Sequence, residues 1–313
     1  MLWTAYGPPE VLQLREVERP VPRDNEVLIR IHATTVTAGD MQLRGLKVPA
    51  LLRLPARLFL GLMRPSRVVI LGQELAGQIE AVGQDVKRFS VGDKVFAATG
   101  LRLGTYAEYK CLPETGVIAL KPAHLSYQEA AAVAMGGLEA LQHIRKANLQ
   151  SGQKVLIIGA GGSIGTFAVQ LAKHSGAEVT ALDRTEKLEM LRSIGADHVI
   201  DYTREDFTRS GETYDVIIDV AGKSPFSRSK RALKQNGTYF SDSSTRASQG
   251  GGKKRIHTHA AQRAENLALL KALLESGEIK TVIDRTYPLE QLAEAHRYVE
   301  TGLKKGHVII TVE

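Results

Sequence analysis

Gly159, Gly162 and Gly165 recur every third position in GAGGSIG, between an apolar run rich in β-branched residues (KVLII, 154–158) and the helix-patterned SIGTFAVQLAKH (163–174). A strand that delivers a glycine-rich turn onto a helix N-terminus builds an anion site. Backbone N–H groups without intrahelical acceptors and the positive end of the helix dipole converge there, and the missing side chains let a phosphate approach. The cradle comprises Gly159, Ala160, Gly161, Gly162, Ser163, Ile164 and Gly165. Its spacing is GxxGxxG and not the strict GxGxxG, because Ile164 occupies the sixth position; a turn of this kind also arises for steric reasons alone. The next apolar run, EVTALD, ends in Asp183, 183 − 159 = 24 residues after the first glycine. An acid about 20 residues on, at the end of a second strand, is placed for a ribose hydroxyl. The pair of signals predicts a dinucleotide site.

The surrounding pattern predicts the frame that holds it. From residue 26 to about 120, short alternating runs such as EVLIRIHATTV, ELAGQIEAVG and DKVFAAT are separated by turn residues, the signature of a β-rich domain. At SYQEAAAVAMGGLEALQHIRKA the apolar period becomes helical, with Ser126 and Glu129 spaced as a capping box, which predicts a boundary near 123. Beyond it, strands (KVLIIG, EVTALD, HVID, YDVIIDVAG, GTYFSD) alternate with helices (SIGTFAVQLAKHSG, TEKLEMLRSIG, one around SKRALKQ). These βαβ units predict a parallel sheet covered on both faces. ENLALLKALLESGEI, VIDRTYP, LEQLAEAHRYVETG and HVIITV close the chain as helix, strand, helix and strand. The low-complexity stretch from Ser243 to Arg255 is expected as a mobile loop.

The 313 residues accommodate two ordinary domains. The excess of 41 − 34 = 7 basic residues permits anionic partners without requiring them, and no aromatic-basic stacking platform speaks for RNA, so nucleic acid ranks low. A single cysteine, Cys111, excludes an internal disulfide and fits a reducing compartment. No signal-peptide pattern is evident at the N-terminus, and a cytoplasmic location is the expectation. VPALLRLPARLFLGLMRPSRVVIL is interrupted by Arg53, Pro55, Arg57, Arg64 and Pro65, too often for a membrane span. Its basic, amphipathic character leaves three alternatives open: a membrane-surface helix, a flap over a substrate cleft, or a subunit contact.

YGPPEVL, LGQELAGQIEAVGQDVKRFSVGDKVFA, SGQKVLIIGAGGSIGTFAVQLAK and AEAHRYVETGLKKGHVIITV together resemble the medium-chain dehydrogenases/reductases, above all the zinc-free quinone oxidoreductase (zeta-crystallin-like) branch. The resemblance implies an α/β protein with a GroES-like β-rich catalytic domain (1–123 and 287–313) around a Rossmann doubly wound parallel-sheet domain (124–286). It also implies an NAD(P)H-dependent reduction of a quinone, enone or related carbonyl, and a homodimer. Ala221, Gly222 and Glu139 join the cofactor contacts by the same match, Glu139 standing where relatives carry a threonine near the nicotinamide. The catalytic-zinc positions of metal-using relatives read Thr37, Gln73 and Met135 here, none a good zinc ligand, so no metal is expected.

In the quinone reductase branch, an Asn-Pro-x-Asp-x-Tyr-x-x-Arg segment lines the substrate cleft. The match here is Thr37 to Arg44, which keeps Asp40 in register, carries its basic residue, Arg44, one position before the motif's Arg, and has Thr37 and Gln42 at the Asn and Tyr positions. These four are the catalytic candidates. Asp183 favours a ribose 2′-hydroxyl, whereas Arg184, with Lys187 and Tyr202 at positions resembling the phosphate contacts of NADPH-using relatives, favours a 2′-phosphate. Either NADP(H) or NAD(H) is therefore expected to bind. The altered positions keep a second function open, a dinucleotide-binding protein with little turnover.

Overall fold

The computed structural model describes residues 1–47, 50–66, 69–241, 254–257 and 264–312. Its contacts divide the chain into two units: residues 1–135, 262–271 and 283–313, and residues 136–261 and 272–282.

The first unit is built on a mostly antiparallel sheet. Its strands are β1 (Leu2–Trp3), β2 (Leu12–Gln13), β3 (Glu26–Thr35), β4 (Glu74–Val82), β5 (Lys94–Ala98), β6 (Tyr109–Pro113) and β7 (Val117–Leu120). The short pair β1–β2 stands apart, and the large sheet runs β14-β15-β3-β4-β5-β7, with β6 also paired to β3; β14 (Ile283–Pro288) and β15 (His307–Thr311) return from the chain end. Alternation in β3 turns Val27, Ile29 and Ile31 into the core while Arg30 faces water. On that core sit Leu292, Ala295 and Val299 of helix α9 (Leu292–Glu300). Two further helices, α1 (Ala38–Arg44) and α2 (Ala50–Leu60), lie between β3 and β4 in sequence.

The expected helix from Ser126 is two helices, α3 (Tyr127–Ala131) and α4 (Ala134–Ala147), broken where Ala132 and Val133 turn into the core. Its capping box is present: Ser126 Oγ accepts from Glu129 N, and Glu129 accepts from Ser126 N. Helix α3 packs on β3 and β4, and the contact clusters change unit at 135/136.

The second unit is a parallel sheet in the order β10-β9-β8-β11-β12-β13. Its strands are β8 (Lys154–Ile158), β9 (Glu178–Asp183), β10 (His198–Asp201), β11 (Tyr214–Asp219), β12 (Leu233–Ser241) and β13 (Lys254–His257). Numbered within the unit this is 3-2-1-4-5-6, the doubly wound order that places a ligand site at the reversal beside β8. Strands buried on both faces are continuously apolar, as in KVLII, where only Lys154 at the entry is less than buried. Helices α5 (Ser163–His174), α6 (Leu188–Ser193), α7 (Phe226–Ser229) and α8 (Ala264–Glu275) follow in chain order, α8 being shared between the units. The helix expected around SKRALKQ ends early: β12 starts at Leu233, with Asn236 at positive φ. Lys254 and Arg255, expected in a loop, lie in strand β13; Ser243 to Lys253, Thr258 and His259 fall outside the described residues.

Candidate functional site

In the second unit the glycine loop joins β8 to α5 as expected, and its donors are largely committed. Gly159 and Ala160 N–H both donate to the Leu182 carbonyl (3.0 and 3.3 Å), Gly161 N–H donates to Asp183 Oδ2 (2.8 Å), and Gly162 N–H to Gly159 O (3.2 Å). Bonding within α5 begins with Thr166 N–H to Gly162 O (3.0 Å), so the N–H groups of Ile164 and Gly165 in the first turn have no intrahelical acceptor.

The three motif glycines differ in what demands them. Gly159 has φ +79°, and a β-carbon at Gly165 would stand 2.3 Å from Gly159 O, so the fold itself requires both. Gly162 is extended (φ −90°, ψ 179°), and a β-carbon there would meet nothing closer than Gly159 O at 3.5 Å, an ordinary contact. Nothing among the described residues forbids a side chain at Gly162, which leaves its backbone open to close approach by a group such as a dinucleotide phosphate.

Asp183 closes β9 but does not present an unengaged carboxylate. It accepts from Gly161 and Arg184 N–H groups, and Lys187 Nζ lies 3.2 Å away, both side chains 7% exposed. The expected opponents in cofactor choice are thus an ion pair. Arg184 is half-buried, 3.7 Å from Glu186, and its Nε is buried without a hydrogen-bond partner, a donor suited to an incoming acceptor. Tyr202 is exposed, its N–H donating to the Asp183 carbonyl (3.2 Å). Across the loop, Ala221 packs on Gly159, and Ala221 and Gly222 lie on the turn after β11. That turn is held by Asp219, which sequence reasoning missed. Fully buried, it accepts from Ala221 N (3.1 Å), Ser224 N (2.9 Å) and Tyr239 Oη (2.9 Å), and burial raises its pKa. Glu139 lies half-buried on α4, its carbonyl 2.9 Å from His143 Nδ1.

In the first unit, three of the four catalytic candidates are tied into the scaffold. Thr37 is the N-cap of α1: its Oγ1 accepts from Asp40 N (3.1 Å) and donates to Asp40 Oδ2 (2.6 Å). Asp40 also accepts from Thr37 N (3.0 Å) and Gly72 N (3.1 Å), and burial raises its pKa against these bonds. Arg44, 1% exposed, donates to Gly7 O (3.1 Å), His296 Nδ1 (3.0 Å) and Glu300 Oε1 (2.6 Å). With Nδ1 accepting, the His296 proton sits on Nε2, and burial and the Arg44 charge push its pKa down to about 3. Gln42 is exposed on α1.

Thr37 and Gln73 meet around Gly39: a β-carbon there would stand 2.9 Å from Gln73 Nε2 and 3.5 Å from Thr37 Oγ1. The next residue, Glu74, is fully buried and accepts from Met135 N (2.5 Å) and Thr35 Oγ1, and burial raises its pKa to about 7. Thr37 and Gln73 thus stand together at Gly39, and Met135 meets the residue after Gln73 through its backbone; none of the three is a good zinc ligand. Among the described residues no group of three or more His, Cys, Asp or Glu side chains could hold a metal ion. Glu74 heads the apolar strand ELAGQIEAV, and an acid in that position was the available signal for a buried carboxylate.

Residues 23–122 match the alcohol dehydrogenase GroES-like domain, residues 194–310 the zinc-binding dehydrogenase family, and residues 126–225 the alanine dehydrogenase/PNT C-terminal domain. The chain is 33% identical over 320 residues to 2-methylene-furan-3-one reductase of Solanum lycopersicum, covering 98% of this chain and 77% of that protein. It is 29% identical over 321 residues to the chloroplastic NADPH-dependent alkenal/one oxidoreductase of Arabidopsis thaliana, covering 99% and 78%. The structure of the quinone oxidoreductase from Coxiella burnetii superposes with a TM-score of 0.87 at 27% identity, covering 100% of this chain and 98% of that one. The chain belongs to the medium-chain dehydrogenase/reductase superfamily, among its quinone oxidoreductase-like members.

Proposed function

We propose that this chain is an NAD(P)H-dependent oxidoreductase that reduces quinones, enones or related conjugated carbonyls without zinc, as a cytoplasmic homodimer. The observation that carries the reading is the combination of a phosphate cradle at Gly162 with a GroES-like unit whose metal positions hold Thr37, Gln73 and Met135. Reduced nicotinamide, when bound, supplies a hydride. The first turn of α5 receives the pyrophosphate, and Asp183, Arg184, Lys187 and Tyr202 surround the adenosine ribose. Asp219 positions Ala221 and Gly222, and Glu139 faces the nicotinamide.

A conjugated carbonyl carries its own electron sink, so the protein must orient it, exclude water and donate a hydrogen bond to its oxygen; it need not supply a Lewis acid. Gln42 and Gln73 have amide donors for that oxygen. Asp40, Thr37 and Arg44 act as positioning residues, because their polar groups already hold α1 to its surroundings.

The test is a turnover screen of quinones, 2-enals and 2-enones with both NADH and NADPH. Saturable oxidation of either cofactor by one substrate class is expected. Cofactor binding with no turnover on any of them would replace this reading with that of a dinucleotide-binding protein.

A further inference from the structure

Helix α2 carries apolar residues on two opposite faces, and the first unit uses only one of them. Ala56 and Leu60, spaced i, i+4, pack on the core, and Tyr6 Oη donates to Gly61 O (2.6 Å), fastening the helix end. Leu51, Leu54 and Leu58, spaced i, i+3, i+7, share the other face and stand 88%, 62% and 57% exposed. Past the helix, Leu62 and Met63 continue the exposed apolar run, Met63 at 91%. Five large exposed apolar side chains from one segment of 13 residues, three of them on one helix face, mark an interaction surface.

Charge decides which partner. Between Asp40 and Glu74 the chain has no Asp or Glu, while it has Arg44, Lys47, Arg53, Arg57, Arg64 and Arg67. Arg53, Arg57 and Arg64 are exposed beside the leucines, Arg57 also lying 5.7 Å from the Tyr6 ring centre. A second copy placed on this face would set arginine against arginine with no acid in the segment to pair with. A nucleic acid would meet the arginines and leave the leucines in water. An anionic lipid surface satisfies both: apolar side chains enter the boundary between headgroups and acyl chains while the guanidinium groups stay among phosphates. The 11-residue helix is too short to span, and no described helix is long and apolar enough to cross a membrane.

We propose that residues 51–64 are an interfacial element that docks this protein on the surface of a bilayer containing anionic phospholipid. Leu51, Leu54, Leu58, Leu62 and Met63 insert, and Arg53, Arg57 and Arg64 bind headgroups. The inference is independent of which substrate the enzyme reduces.

The test is co-sedimentation of the full chain with vesicles of phosphatidylcholine alone and of phosphatidylcholine mixed with phosphatidylglycerol. Binding is expected only to the mixed vesicles, with release at roughly 0.5 M salt, where screening shortens the reach of the charges to a few ångströms. Replacing Leu51, Leu54 and Leu58 together by serine should weaken binding at least about tenfold. Arg53→Gln and Arg57→Gln should each weaken it roughly fivefold. Should the triple variant fold poorly, Leu51→Trp reads insertion directly, through a blue shift of its emission on mixed vesicles alone.

Failure of the wild type to bind mixed vesicles would overturn the proposal. So would undiminished binding by the leucine variant, or an unshifted Leu51→Trp spectrum. A dimer in sedimentation that the leucine substitutions dissociate would assign the face to a second copy instead.

Discussion

Lys187 Nζ lies 3.2 Å from Asp183 Oδ1, and the same carboxylate accepts from the N–H of Gly161 in the glycine loop. Lys187, which we propose favours a 2′-phosphate, thus neutralises Asp183, which we propose repels it. With the charges joined in one pair, NADH and NADPH are expected to bind within about a hundredfold of each other, roughly 2.7 kcal/mol. Lys187→Met leaves Asp183 unneutralised, which should weaken NADPH at least about tenfold relative to NADH and lower stability by about 3 kcal/mol. Fluorescence titration with both cofactors and chemical denaturation read the two effects; an unchanged NADPH/NADH ratio would show that Asp183 does not face the 2′ position.

Gly162 and Gly165 should respond oppositely to substitution. Gly162→Val has room inside the protein, so the fold should persist while cofactor affinity falls by more than about tenfold, roughly 1.4 kcal/mol. Gly165→Ala drives a β-carbon against the Gly159 carbonyl and should destabilise the unit itself. Cofactor titration alongside thermal melting separates them, and a folded Gly162→Val protein with normal affinity would remove the cradle from the site.

Glu74 makes stability depend on pH in the direction opposite to a salt-bridged carboxylate. Burial raises its folded pKa from 4.5, the ordinary value for a glutamate, to about 7, so the native state binds the proton more tightly. Its contribution is complete below pH 4.5 and is lost as pH rises through about 7, a change of roughly 3 kcal/mol by linkage. Glu74→Gln should flatten the profile. Urea denaturation at pH 5 and pH 8 checks it; an equal pH dependence in the variant would place the titration elsewhere.

Arg44 ties α1 to α9 through Glu300 and His296, 256 and 252 residues away. Arg44→Lys keeps the charge but loses the fork that reaches Gly7, His296 and Glu300 together. The expected outcome is a loss of about 2 kcal/mol in stability with kcat within a few-fold of wild type at a temperature where the variant stays folded. A collapse of kcat with unchanged stability would instead make Arg44 a catalytic residue.

Turnover should survive chelation, because Thr37, Gln73 and Met135 offer no ligand set. Metal analysis of untagged protein before and after chelator, with activity in parallel, tests this. Stoichiometric zinc lost together with activity would overturn it.

The features legible from residue order alone are those that local physics sets. The glycine loop with its flanking strand and helix, the alternation that predicts a parallel sheet, and the Ser126–Glu129 capping box involve neighbours within a few residues, and all are present. The Thr37–Asp40 capping box is equally local, since its two residues are three apart in the chain. Only the tertiary structure decided the rest. Arg44 meets Glu300, and Glu74 meets the N–H of Met135, through the packing of segments far apart in the chain. Asp183 and Lys187 are only four residues apart, yet their pairing depends on where β9 ends beneath the glycine loop. A residue type carries its charge and hydrogen-bonding groups in the sequence, but whether they remain available to a ligand depends on which partners the fold brings within reach.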